Sequence, residues 1–250
     1  QKSMLSDEVK ELISQHKPSL EHLKCTHDCK TCSIATGRHC CHVHGSIELD
    51  EDDIPHFVKK PMTAVCTRFE CGKDCECSSK CKNRIVQNGR QHPLLVFRDR
   101  KKGWTLRVLT EFDKDQYLGE YIGKITTGPS KGRAQNYDYD LHYGIERGNG
   151  VKRPLNISAF SMGNETRFMS HSCSPNIYNE STIVERQGMY LNRGAFRALR
   201  KLTRGEELAF DYFPGKKSED IDVTKMFDEC WCDTAVCRFK NLTQKKRKLQ

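Results

Sequence analysis

The chain has 250 residues, of which 36% are hydrophobic, and 42 lysines and arginines stand against 33 acidic residues. That length can bury a real core as one large domain or two small ones, and no apolar run approaches the roughly 18 residues of a membrane span, which sets membrane helices aside. The formal net charge of +9 favours a polyanionic neighbour such as nucleic acid without saying where the charge sits.

In chain order, Gln1 in place of methionine points to a piece of a longer protein, and no signal-like stretch opens it, so an intracellular, thiol-reducing setting is expected. Residues 6–16 read as a short packing helix: Ser6 caps it, Asp7 and Glu8 suit its positive end, Val9, Leu12 and Ile13 form a stripe, and Pro18 stops it. Fourteen cysteines follow, crowded into three places. In a reducing compartment such clusters hold metal more often than disulfides. The first runs Cys25, Cys29, Cys32, Cys40, Cys41, then Cys66, then Cys71-x3-Cys75-x-Cys77-x3-Cys81. The last three spacings bring four thiolates onto one small loop, as tetrahedral zinc requires. Between the groups, Glu48 to Asp53 is an acidic run expected to be a solvated loop.

Short strands are expected at Leu94–Phe97, Trp104–Leu109, Tyr117–Ile125, Tyr137–His142, Ser181–Val184, Met189–Phe196 and Leu208–Tyr212, each rich in β-branched or aromatic residues and bounded by turn formers. Residues 126–154, rich in Gly, Lys and Arg, are expected to hold loops or a short helix. Many short strands without a repeated βα unit imply a mainly β domain of small sheets, and the absence of G-x-G-x-x-G argues against a dinucleotide fold. Cys230-x-Cys232-x4-Cys237 offers three more thiolates, and the closing Lys245-Lys246-Arg247-Lys248 is a basic tail.

Three motifs carry the chemistry: Gly119-Glu120-Tyr121-Ile122-Gly123, the stretch from Arg167 through His171-Ser172-Cys173 to Asn176, and Glu206 through Phe210-Asp211-Tyr212-Phe213. Together they resemble the core motifs of SET-domain protein lysine methyltransferases. The cysteine array resembles the pre-SET cluster of the suppressor of variegation 3-9 type, which methylates lysine 9 of histone H3. The resemblance implies a SET fold of small sheets with a pseudo-knot, and a division into residues 1–24 (helix and linker), 25–89 (pre-SET), 90–213 (SET), 214–240 (post-SET) and 241–250 (basic tail).

It also implies roles. Nine thiolates can serve three zinc ions if three of them bridge. These would be Cys25, Cys29, Cys32, Cys40, Cys41, Cys71, Cys75, Cys77 and Cys81. His27 stands where the family has its first cysteine, and a bridging role favours Cys25. A fourth zinc would join Cys173 to Cys230, Cys232 and Cys237. The family's S-adenosylmethionine contacts fall on Lys102, Gly103, Trp104, Tyr137, Arg167, Phe168, Ser170 and His171. The amine channel falls on Tyr121, Tyr212, Tyr139 and Phe210, with His171 expected to bond near the adenine or Tyr121. Phenylalanine at the Phe210 position implies di- or trimethylation. Thr105 replaces a family glycine and Ser170 a family asparagine, which implies weakened cofactor binding. The implied partners are a histone H3 tail, the nucleosome or chromatin, and DNA through the basic surface, in the nucleus and on chromosomes. The rival readings are methylation of histone H3 lysine 36 and a catalytically weak SET scaffold.

Overall fold

The computed structural model describes residues 67–73, 75, 77–81, 83–141, 155–186, 189–221 and 229–240, besides residues 7, 10, 11, 47–49 and 55–57. Of the expected first helix, Asp7, Lys10 and Glu11 are helical, and the rest lies outside the described residues. Cys25, Cys29, Cys32, Cys40, Cys41 and Cys66 lie outside them too, as does the basic tail. Among the described residues no helix is long and apolar enough to cross a membrane.

Small sheets dominate. Strands β1 (Ile47–Leu49) and β2 (Pro55–Phe57) pair antiparallel, so Glu48 and Leu49 belong to a strand and not to the solvated loop expected of the acidic run. β3 (Thr67–Phe69) lies parallel to β11 (Ile177–Arg186), and the four-stranded sheet runs β3-β11-β12-β6, with β12 at Met189–Ala198 and β6 at Tyr117–Glu120. β4 (Leu94–Asp99) and β5 (Gly103–Val108) form a hairpin whose turn ends on Gly103 at φ +82°, a conformation glycine adopts without strain. A three-stranded sheet has β9 (Leu155–Gly163) between β7 (Gly123–Thr127) and β8 (Asp138–Leu141). The short helix α1 (Ile85–Asn88) is capped from a distance: the buried Glu70 carboxylate accepts the amides of Val86 and Gln87 at 2.6 and 3.1 Å.

Of the strand boundaries that differ from expectation, three bear on the site. The stretch Tyr117–Ile125 is two strands, because the chain bulges at Gly123, where a side chain would strike the Ser158 carbonyl. Tyr137 ends a 3-10 turn (Gly132–Tyr137), and β8 begins one residue later. Of Leu208–Tyr212, only β13 (Ala209–Phe210) is strand, paired in parallel with β10 (Ser170–His171).

That last pairing positions the site. The segment 206–212 lies between β5 and the 170–176 loop: Val108 donates to the Glu206 carbonyl and Leu208 to the Leu106 carbonyl on one side, while Ser170 and Ser172 donate to Leu208 and Phe210 on the other. Asn176 locks it, taking the Ala209 amide at 2.9 Å and giving its own side-chain amide to the Glu207 carbonyl at 2.8 Å. This threaded crossing is the pseudo-knot. Its floor is the main core, where Leu106, Val108, Phe112, Leu118, Phe196 and Leu208 are fully buried.

Candidate active site

The motif residues converge because the three-stranded sheet, the end of β6 and the threaded segment meet. Asn164 and Thr166 donate to the Glu120 carbonyl at 2.9 and 3.0 Å, which pins the turn carrying Arg167 and Phe168 to the start of the Tyr121 motif. Beside it opens a cavity of about 530 Å³, lined by Lys102, Gly103, Trp104, Tyr137, Arg167, Phe168, Ser170, His171 and Tyr212. Every residue that the resemblance assigned to the cofactor is thus in one wall. That volume suits a nucleoside-sized ligand. Sequence reasoning missed Lys101, Asn136, Met169, Glu229 and Trp231 in the same wall. Trp231, an aromatic between two clustered cysteines, carried the one visible signal; the Lys101 ammonium stands 4.9 Å from its ring.

A chain of rings leads inward. Tyr121 stacks on Tyr139 at 5.4 Å, both meet Phe196 edge-on, and Phe196 lies 5.0 Å from Phe210, which lies 4.7 Å from Tyr212. The Tyr121 hydroxyl donates to the Tyr137 carbonyl at 2.9 Å and the Tyr212 hydroxyl to the Met169 carbonyl at 2.5 Å. Both acceptors belong to cavity residues, so the phenols sit where the ring channel meets the cavity. Burial raises both phenols above their ordinary range, and the Tyr121 phenol adds to the rise at Tyr212.

The surroundings of His171, Thr105 and Ser170 differ from one another. His171 Nδ1 accepts the Tyr212 amide at 3.2 Å, and its Nε2 faces Cys173 Sγ at 3.4 Å. Burial lowers this imidazole to about 4, against the Asp211 carboxylate, so the neutral ring is an acceptor that fixes the Tyr212 main chain. Thr105 is absent from the cavity wall; it is fully buried, and its hydroxyl finds no hydrogen-bond partner among the described residues. Ser170 does line the cavity, but its hydroxyl donates to Glu207 at 2.7 Å, and both Glu207 oxygens take the Lys102 ammonium at 3.0 Å.

The thiols fit zinc. Cys173, Cys230, Cys232 and Cys237 bring four sulfurs within 4.8 Å of one another, compatible with the roughly 3.8 Å edge of a tetrahedron with Zn–S bonds near 2.3 Å. Cys71, Cys77 and Cys81 form a second group, and Cys75 is buried in the same loop. Donors already face these sulfurs: Asn83 reaches Cys81 at 3.3 Å and Cys71 at 3.5 Å, and Arg84 reaches Cys77 at 3.6 Å. Such outer partners orient and neutralise thiolate ligands.

The model of the SET domain matches residues 103–213. The chain carries a SET domain. The histone-lysine N-methyltransferase Su(var)3-9 of Drosophila melanogaster is 32% identical over 228 residues, covering 86% of this chain and 34% of that protein. The chain therefore spans about a third of the length of this curated relative. Arabidopsis thaliana SUVH6 in complex with SAM superposes with a TM-score of 0.56 at 28% identity, over 69% of this chain and 37% of that one. KRYPTONITE in complex with mCHH DNA, H3(1-15) peptide and SAH superposes with a TM-score of 0.63 at 26% identity, over 87% and 42%. The matched residues 103–213 include the ring channel, the threaded segment and most of the cavity lining.

Proposed function

We propose that this SET domain transfers methyl groups from S-adenosylmethionine to a lysine side chain, lysine 9 of histone H3, and carries it to the di- or trimethyl state. One observation carries the reading: a single cavity gathers all the residues assigned to the cofactor, and the Tyr121 and Tyr212 hydroxyls bond the main chain of two of its lining residues. Relatives named as H3 lysine-9 specific support this lysine over lysine 36. The described sulfur groups support zinc at the post-SET segment and at Cys71, Cys75, Cys77 and Cys81. The division into pre-SET, SET and post-SET regions at residues 25–89, 90–213 and 214–240 belongs to the same proposal. So do an H3 tail on the nucleosome as partner, DNA contact through the basic surface, and a nuclear, chromosomal setting.

Bound S-adenosylmethionine supplies an electrophilic methyl on a sulfonium. Lysine arrives as an ammonium with a pKa near ~10.4 and must yield its proton to water before its nitrogen can attack. Tyr121, Tyr139, Phe196, Phe210 and Tyr212 favour the neutral amine by excluding water from it. The Tyr121 and Tyr212 hydroxyls keep their protons and, held by two carbonyls, fix the polar end of the channel; Phe210 leaves room for an amine that already bears methyl groups. Most of the acceleration comes from this positioning.

Mass spectrometry of an H3 tail peptide incubated with zinc-replete protein and S-adenosylmethionine tests the reading, with Tyr212→Phe alongside. Methylated lysine 9 with wild type and at least about a hundredfold less with the variant is expected. Equal product from both removes Tyr212 from the reaction, and a folded, zinc-loaded protein that binds no S-adenosylmethionine would favour the scaffold.

A further inference from the structure

Two residues outside every motif determine where the Tyr139 ring stands. Asn179 on β11 donates its side-chain amide to the Tyr139 phenol oxygen at 2.9 Å. Gly194 on β12 is buried against the same ring: a methyl carbon at its Cβ position would stand 2.7 Å from Cε1, 2.8 Å from Cζ and 3.0 Å from the phenol oxygen. Carbon atoms in contact stand about 3.5–4.0 Å apart, so no side chain fits while the ring stays. The Gly194 carbonyl also accepts the Tyr121 amide at 2.8 Å. One residue thus holds the main chain of one tyrosine and leaves room for the ring of the other, and those two rings stack.

We propose that Gly194 and Asn179 are positioning residues that set the bore of the amine channel through Tyr139, and so how many methyl groups the amine can carry; this rests on the lysine-methylation reading above. The neighbours of Gly194 make the effect specific. At Gly123 an added side chain meets main chain, so substitution there opposes the sheet itself. At Gly194 the three nearest atoms all belong to the tip of the Tyr139 side chain. The added methyl therefore displaces the ring. Among the described residues its aromatic neighbours are Tyr121 and Phe196, both of the channel, so moving the ring alters the channel.

The test measures kcat and KM on unmodified, monomethylated and dimethylated H3-tail peptides, with product states by mass spectrometry, for zinc-loaded wild type, Gly194→Ala and Asn179→Ala. Gly194→Ala is expected to lower kcat/KM on the dimethylated peptide, relative to the unmodified one, by about ten- to a hundredfold, so that lower methyl states accumulate. Asn179→Ala removes the tether without adding bulk and is expected to move the same ratio by about two- to tenfold toward fuller methylation. A merely structural defect lowers all three peptides together and leaves the ratio alone. Folded variants that keep the wild-type ratio overturn the proposal, and if Gly194→Ala fails to fold, an unchanged ratio in Asn179→Ala does so. Wild type inactive on every peptide sinks the methylation reading itself, an outcome distinct from an active enzyme with an unmoved ratio.

Discussion

Replacing Cys237 with serine tests whether the carboxyl-terminal zinc builds the cofactor site. Cys237 is not in the cavity wall, but Glu229, Cys230 and Trp231 of the same segment are, and the four sulfurs lie within 4.8 Å. Without the metal, residues 229–240 keep two main anchors. Phe239, 1% exposed, packs with Phe213 and Ile221, worth about 1.5–3 kcal/mol, and the Arg238–Asp211 pair at 2.5 Å adds about as much. Ordering the backbone of these residues costs about 1–2 kcal/mol each, whereas a structural zinc site contributes about 10–16 kcal/mol. The metal decides whether this wall exists. Cys237→Ser is expected to lose one zinc, to expose the amides of 229–240 to hydrogen exchange, and to weaken S-adenosylmethionine by at least about tenfold in calorimetry. The β4–β5 hairpin and the main core should keep their protection. A variant short of one zinc that binds the cofactor within about twofold of wild type, with 229–240 still protected, refutes this reasoning.

Phe210→Tyr adds a hydroxyl between Phe196 and Tyr212, and is expected to stop the reaction at monomethyl-lysine, read by mass spectrometry. In pH–rate profiles, activity should climb toward the lysine pKa of ~10.4 with no fall from loss of a phenol proton, because burial holds Tyr121 and Tyr212 above the ordinary tyrosine value near ~10. The same shifts give a stability term with a definite sign. It is fully present below about pH 10, where tyrosine in the unfolded chain stays neutral, and is lost as pH rises further, which alkaline thermal melts can follow. Thr105→Val removes a buried, unpaired hydroxyl and is expected to stabilise the fold by about 1 kcal/mol while leaving cofactor affinity unchanged; a weaker cofactor affinity would put Thr105 back in the site.

Chemistry was legible in the sequence wherever it rests on residue type at short range. Cys230-x-Cys232-x4-Cys237 and Arg167 through Cys173 announce their roles because each requires particular atoms close together along the chain. Strands with alternating or β-branched residues were legible for the same local reason. β9 was not, because Asn156 and Ser158, though nearly fully buried, break its apolar pattern. The break at Gly123 was hidden inside a strand-like stretch, since only the approach of Ser158 from another strand demands it. Gly194 was hidden likewise: a glycine within a strand signals close approach of something, but not that the visitor is Tyr139. Thr105 and Ser170 sharpen the point. In sequence both are the same kind of departure from a family motif, and both suggest a weaker cofactor site. In space Thr105 turns into the core, whereas Ser170 stays in the cavity wall and joins Glu207 to Lys102. Of the two, only Ser170 stands where a substitution changes which charged groups face the cavity.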